Sequence, residues 1–247
     1  MTTPFLSIII PVVNEEKRLP PALEEIDAFL STLGFTAEVL VVENGSADRT
    51  YEVAQEAAAR LPYMRVLREK ARGKGLAVRR GMLEAQGEYR IFCDVDFSMP
   101  VKEISRFIPP ELPEMDVAIA SREKKGAVRY GEPAYRHFIG RGFNALVRWL
   151  ALPGLQDTQC GFKCFRKEVA ERIFPLQTID GWTFDVEVLF IARRMGFRIV
   201  EVPIPWYYNA DSKVRVFKDS YHMLTDLVAI RLKAWRGVYG GSPLQSR

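Results

Sequence analysis

Five short, uninterrupted apolar runs alternate with helical patterns over the first 120 residues, and this order constrains the fold more than any other feature. Phe5–Val13, Val39–Val42, Met64–Leu67, Tyr89–Val95 and Val117–Ala120 are rich in β-branched residues and do not alternate with polar ones. A strand that is apolar on both sides must be covered on both faces, as in a parallel sheet sandwiched by helices. Between the runs, Leu19, Leu23, Ile26, Leu30 and Leu33 step by three or four residues and mark one helix face. Pro20 and Pro21 fall in the first turn of that helix, where a missing N–H costs nothing. Asp48 precedes a second helix reaching about Leu61, and Lys74–Gln86 is a third. This order predicts an α/β fold with a mostly parallel central sheet and helices on both faces.

The pattern changes after Arg122. A long helix is expected over Pro133–Leu152, stopped by Pro153-Gly154, followed by a loop or short strand over Gln156–Phe165. A helix at Phe184–Met195, a strand at Arg198–Val202 and a last helix at Val216–Ala234 complete the reading. There is no repeat and no low-complexity linker, so residues 1–247 read as one domain. Three cysteines are too few for a disulfide scaffold and lack zinc-site partners, which points to a reducing, cytoplasmic setting. The N-terminus has no basic n-region and reads as the first core strand. No run reaches the roughly 18–20 apolar residues of a membrane span.

Charge is unevenly placed. Seven basic residues against two acidic ones give Arg122–Arg148 a local +5, and Asp211–Arg247 carries +4, leaving −5 for the rest of the chain. A basic second half suggests an anionic partner, whether phosphate, nucleic acid or acidic lipid. Phe138–Leu155 interleaves Phe138, Ile139, Phe143, Trp149 and Leu150 with Arg141 and Arg148, and the last helix mixes Arg231, Lys233, Trp235 and Arg236. Such helices either pack an apolar face inward or lie in a lipid headgroup layer.

Polar residues gather where buried strands end. Asp94 and Asp96 follow the strand at Tyr89 in the run Cys-Asp-Val-Asp-Phe. In an open parallel sheet, ligands bind at the carboxyl ends of strands. Two adjacent carboxylates repel, so a cation should join them, and a hard divalent ion that also binds a diphosphate fits. Asn14 and Glu15 end the first strand, where an amide suits a base or ribose and the same residues suit a helix cap and first-turn acid. Glu43 ends the second strand before the Asn44-Gly45 turn. Arg72-Gly73-Lys74-Gly75 opens the third helix; its glycines allow close backbone approach, and a lysine there calls for a nearby anion. A Walker motif and a Gly-x-Gly-x-x-Gly after the first strand are both missing, against a dinucleotide oxidoreductase. Acids along the sheet edge would repel a nucleic-acid backbone, so no nucleic-acid partner is expected.

Ser7–Glu16 (SIIIPVVNEE), Leu40–Thr50 (LVVENGSADRT), Gly73–Gly81 (GKGLAVRRG) and Phe92–Asp96 (FCDVD) together resemble the family 2 glycosyltransferases, which share the GT-A nucleotide-diphospho-sugar transferase fold. Asp157–Lys163 (DTQCGFK), Trp182–Leu189 and Ser212-Lys213-Val214 look like the dolichyl-phosphate glucosyltransferases and their polyprenyl-phosphate relatives. The resemblance implies inverting transfer of a hexose from a nucleotide sugar, UDP-glucose before GDP-mannose, to a lipid phosphate. It implies that residues 1–121 bind the donor and 122–247 the acceptor. Pro11, Val13, Asn14, Glu15 and Glu43 would line base and ribose, Glu43 standing where the family usually has Asp. Lys74 would approach the nucleotide, Asp94 the ribose or metal, and Asp96 the metal, Mg²⁺ or Mn²⁺. Arg122 and Lys213 would steady phosphates, with Asp157 near sugar and acceptor.

A phosphate acceptor is already anionic and needs cations more than a base. Arg122, Arg129, Arg136, Arg141, Lys163 and Lys213 are the candidates, with Gln159 and Asp185 also assigned to the acceptor. A hydroxyl acceptor, the rival reading for a soluble enzyme of this fold, would need Asp157 or Asp185 as base. Loop or helix capping is the competing role for both. The protein is expected in the cytoplasm, free or peripheral on the membrane's cytoplasmic face.

Overall fold

A seven-stranded sheet with the order β3-β2-β1-β4-β7-β5-β8 forms the centre of the protein. The computed structural model describes residues 3–209 and 216–240, except for the side chains of 136, 139, 143 and 216–222. The first half contributes β1 (Leu6–Val12), β2 (Ala37–Asn44), β3 (Met64–Glu69), β4 (Tyr89–Cys93) and β5 (Val117–Ser121). They are linked by α1 (Leu19–Leu30), α2 (Thr50–Ala58), α3 (Lys74–Glu84) and a 3₁₀ turn at Val101–Phe107. The pairs β1–β2, β2–β3 and β1–β4 are parallel, so their carboxyl ends share one edge. Along β1, Ile8 and Ile10 enter the core under α1 and α2, whereas Ile9 enters the core under α3. The uninterrupted apolar runs therefore feed two cores, as strand alternation requires when both faces are covered.

The second half adds β6 (Val128–Tyr130), α4 (Ala134–Leu150), β7 (Phe162–Arg166), α5 (Lys167–Ile173), α6 (Phe184–Arg194), β8 (Ile199–Pro203), β9 (Pro205–Tyr207) and α7 (Val216–Trp235). Strand β7 runs antiparallel to both β4 and β5 and lies between them, with Lys163 in register with Phe92 and Ile119. The expected loop or short strand over Gln156–Phe165 thus divides into a loop and a central strand that continues to Arg166. Lys163 and Arg166 gave that five-residue strand no continuous apolar signature. Three short elements were not anticipated: α5, and the parallel pair β6–β9, which stacks the Tyr130 and Tyr207 rings at 4.6 Å. The second helix ends at Ala58, earlier than Leu61.

Helices α4 and α7 touch and split their apolar residues between core and solvent. Val147, Leu227 and Ile230 are buried, but Phe138 and Trp149 are each 81% exposed and Trp235 is 84% exposed. Leu224, Val228 and Leu232 add to the outer stripe of α7. No helix among the described residues is long and apolar enough to cross a membrane.

Candidate active site

The carboxyl ends of β1, β2 and β4 open into a cleft of about 420 Å³. Pro11, Val13, Asn14, Glu15, Lys74, Asp94 and Asp96 all line it, so the residues singled out at two of the three strand ends and at one helix start meet in one place. Arg18, Asn44, Arg72 and Trp182 line it as well and were not picked out by sequence. Arg18 is clamped by Glu15 through bonds of 2.7 and 3.1 Å, and Arg72 Nε donates to the Gly45 carbonyl.

The loops after β1 and β2 are stitched together. Asn14 adopts a left-handed φ of 52°, which asparagine tolerates better than most residues. Its Oδ1 accepts from Ala47 N at 2.8 Å, its own N–H donates to Ser46 Oγ, and the Glu15 N–H donates to Thr50 Oγ1 at 2.7 Å. Glu43 is a correction: it is 1% exposed and does not line the cleft. Its Oε1 accepts from the Ser46 N–H at 2.5 Å, and Oε2 lies 3.2 Å from Arg68 Nε. The longer glutamate closes the turn from beneath, and Asn44 takes the place on the cleft wall. Asn44 Oδ1 accepts from the Gly73 N–H at 2.7 Å and Nδ2 donates to the Ala71 carbonyl, tying β2 to the start of α3.

The glycines at the start of α3 serve the protein's own backbone. A Cβ on Gly73 would sit 2.5 Å from the Asp180 carbonyl oxygen, and one on Gly75 2.6 Å from that of Ile179. The Gly75 N–H donates to Asp180 at 2.8 Å. Between them Lys74 turns its ammonium to Asp94, Nζ to Oδ1 2.5 Å, with the Trp182 ring 5.3 Å away. Burial works against the Lys74 charge, but Asp94, Asp185 and Asp96 together hold it above the usual lysine range. Burial also pushes the Asp96 carboxyl up, and repulsion from Asp94 adds to this. Two carboxylates in a partly dry cleft, one of them short of counter-charge, form a donor set suited to a hard divalent ion. Among the described residues no group of three or more His, Cys, Asp or Glu side chains could hold a metal, so the remaining oxygens would have to come from substrate and water.

Asp94 is itself positioned by a glycine. A Cβ on Gly161 would lie 2.0 Å from Asp94 Oδ2 and 2.6 Å from its Cγ. The DTQCGFK run therefore reaches the cleft through its glycine, a role that sequence analysis did not assign.

The other residues of that run are internal. Asp157 is fully buried and grips Arg122 through Nε at 2.7 Å, Nη2 at 2.9 Å and the backbone N–H at 2.9 Å. Burial alone would raise the Asp157 carboxyl, but the Arg122 guanidinium outweighs it and brings it down to about 2. Lys163 is fully buried too; its Nζ donates to Asp185 Oδ1 at 2.5 Å and to the Cys160 carbonyl at 2.7 Å. Burial raises the Asp185 carboxyl in spite of Lys163 and Lys74. Neither Asp157 nor Asp185 is placed as an accessible base, and Lys163 is not an accessible acceptor cation; these expectations are corrected.

Replacing Asp157 with Asn should cost about 3–5 kcal/mol of stability, because it strands a guanidinium without counter-charge. Since the folded carboxyl lies near 2 and its ordinary value is 3.8, this stabilisation is complete above pH 3.8 and lost as pH falls toward 2. Urea unfolding of both proteins at pH 7 and pH 3 checks it; equal midpoints at pH 7 would contradict the assignment.

Among the remaining acceptor candidates, Arg129 is held by Glu123 and Glu132, both at 2.6 Å. Arg122 and Arg129 also lie 5.4 and 5.6 Å from the Trp206 ring. Gln159 is half-buried, its amide 3.9 Å from Met223 Sδ. Arg141 is exposed on α4; Arg136 lies on the same helix with its side chain outside the described ones, and Lys213 lies outside the described residues. The structure therefore brings the donor-side residues other than Glu43 together in the cleft; among the described acceptor-side ones Arg122 and Arg129 share the Trp206 ring, and none lines that cleft.

The description Glycosyl transferase family 2 matches residues 7–174. The chain is 34% identical over 249 residues to a dolichyl-phosphate beta-glucosyltransferase of Dictyostelium discoideum, covering 95% of this chain and 76% of that protein. It is 34% identical to the human protein of the same description over 253 residues, with 95% and 78% covered. Among solved structures, glucosyl-3-phosphoglycerate synthase from Mycobacterium tuberculosis, in complex with Mn²⁺, UDP and phosphoglyceric acid, aligns with a TM-score of 0.67 at 19% identity. That alignment covers 98% of this chain and 80% of the synthase, and shows a shared fold. With the family description matched over residues 7–174 and relatives about a third identical over 95% of the chain, this protein belongs to the family 2 glycosyltransferases and carries their GT-A fold.

Proposed function

We propose that the protein transfers glucose from UDP-glucose to a polyprenyl phosphate such as dolichyl phosphate, with inversion at the anomeric carbon. The observation that carries this reading is the meeting of Asp94, Asp96 and Lys74 with the Asn14–Glu15 loop in one cleft. The names of the relatives support the sugar and the acceptor. Asp94 and Asp96 would hold Mg²⁺ or Mn²⁺. When bound, such an ion supplies Lewis acidity at the donor diphosphate as negative charge gathers there. Pro11, Val13 and Asn14 bound the base and ribose region, and Lys74 adds a fixed positive charge beside the leaving group. Trp182 lines the same side, its ring 5.3 Å from Lys74 Nζ.

The internal ion pairs favour an acceptor that is already anionic. Asp157 and Asp185 are both occupied by buried cations, so a hydroxyl acceptor would find no base among the residues first considered for it. A phosphate monoester needs none. The exposed Phe138, Trp149 and Trp235, with Arg141 and Arg148 on α4, support a peripheral position on a membrane carrying the lipid acceptor. The free, buried Cys93, Cys160 and Cys164 fit a reducing, cytoplasmic side.

The test is turnover with UDP-glucose or GDP-mannose, and with a short polyprenyl phosphate or the matching alcohol, in Mn²⁺ or EDTA. Product is expected from UDP-glucose and the phosphate, and EDTA should remove it. A preference for the alcohol or for GDP-mannose would overturn the acceptor or donor assignment.

A further inference from the structure

Lys74 is the first residue of α3, and its two glycine neighbours are pinned against the carbonyls of Asp180 and Ile179. The base of the side chain therefore cannot drift. From that point Nζ reaches Asp94 Oδ1 at 2.5 Å, with only 15% of the side chain exposed. Asp94 is one of the two carboxylates that a divalent ion would use. Deeper in the wall, Lys163 Nζ occupies Asp185 Oδ1 at 2.5 Å. Lysines and aspartates alternate here, with two cations against three anions, Asp94, Asp96 and Asp185.

We propose that Lys74 is a resident counter-cation that holds Asp94 while the cleft lacks donor, so that a divalent ion enters together with the donor diphosphate and not before it. This rests on the metal reading of Asp94 and Asp96. An ion arriving alone meets one carboxylate already paired and, among the described residues, no cluster of three acidic, cysteine or histidine side chains to complete its shell. A diphosphate changes both terms. It brings oxygens to the ion. It also offers the Lys74 ammonium a new anionic partner, so Asp94 is released without leaving a charge unpaired. The lysine thereby couples the two ligands through competition for one carboxylate.

Electron paramagnetic resonance of free Mn²⁺, titrated into the full chain with and without UDP, tests this without any turnover. Wild type should bind Mn²⁺ alone at least about tenfold more weakly than with UDP, and Lys74→Met should tighten binding of Mn²⁺ alone by about tenfold. Lys74→Arg, which keeps the charge, should stay near wild type. If Lys74→Met binds Mn²⁺ alone no more tightly while wild type binds it with UDP, the role of Lys74 falls and the metal reading stands. If wild type binds Mn²⁺ equally well without UDP, the proposal is overturned whether or not the variant folds. Failure of wild type to bind Mn²⁺ even with UDP removes the metal reading, and this inference with it.

Discussion

Asp96→Asn is expected to lower kcat for sugar transfer on the order of 10³-fold, since it removes one of two carboxylates available to a divalent ion at the leaving group. The fold should survive. Asp96 Oδ1 accepts from the Ser98 N–H at 3.1 Å, and the asparagine oxygen can accept the same bond. The wild-type carboxyl is pushed up by burial and by Asp94, so its charge is a burden in the free protein. The thermal midpoint of Asp96→Asn should therefore equal or exceed that of wild type while turnover falls, the opposition expected at a site strained for function. Single-turnover kinetics beside a melting curve decide it. A near-normal rate removes Asp96 from the chemistry, and a collapsed melting temperature makes it structural.

Gly161→Ala is the second large effect. The added methyl would fall 2.0 Å from Asp94 Oδ2, so the carboxylate must move. A displacement of about 1 Å at a reacting centre costs on the order of 10²-fold in rate, and kcat/KM should fall by that much. Gly142→Ala is the control, because nothing lies within 4 Å of its Cβ position on α4. Equal kcat/KM in Gly161→Ala and wild type would show that Asp94 can shift without consequence.

The donor side of the site was legible because its residues are local to strand ends. A buried strand must stop where polar residues begin, and parallel strands stop at one edge, so Asn14, Lys74, Asp94 and Asp96 could be gathered without coordinates. Glu43 failed by one position: both Glu43 and Asn44 end β2, and only packing decides which side chain goes under the turn and which faces the cleft. The acceptor side was less legible because charge in a sequence does not reveal burial. Lys163, Asp185, Arg122 and Asp157 read as surface cations and bases, yet each finds its partner more than 20 residues away. Gly161 and Trp182 act through contacts between loops that no local pattern announces. The architecture was clear wherever strands were wholly apolar, and it was left open between loop and short strand at β7, a central strand whose lysine is neutralised by Asp185 on a helix.

That lysine has a consequence during synthesis. β4 and β5 precede β7 in the chain, and the lane between them in the sheet belongs to β7; the sheet neighbours of β5 are β7 and β8, both of which follow it. β7 fills the lane, but it carries an ammonium group that cannot enter an apolar interior alone. Completion of the sheet must wait for Asp185, which emerges 22 residues after Lys163. Until then β4 keeps one edge open and β5 has no strand beside it.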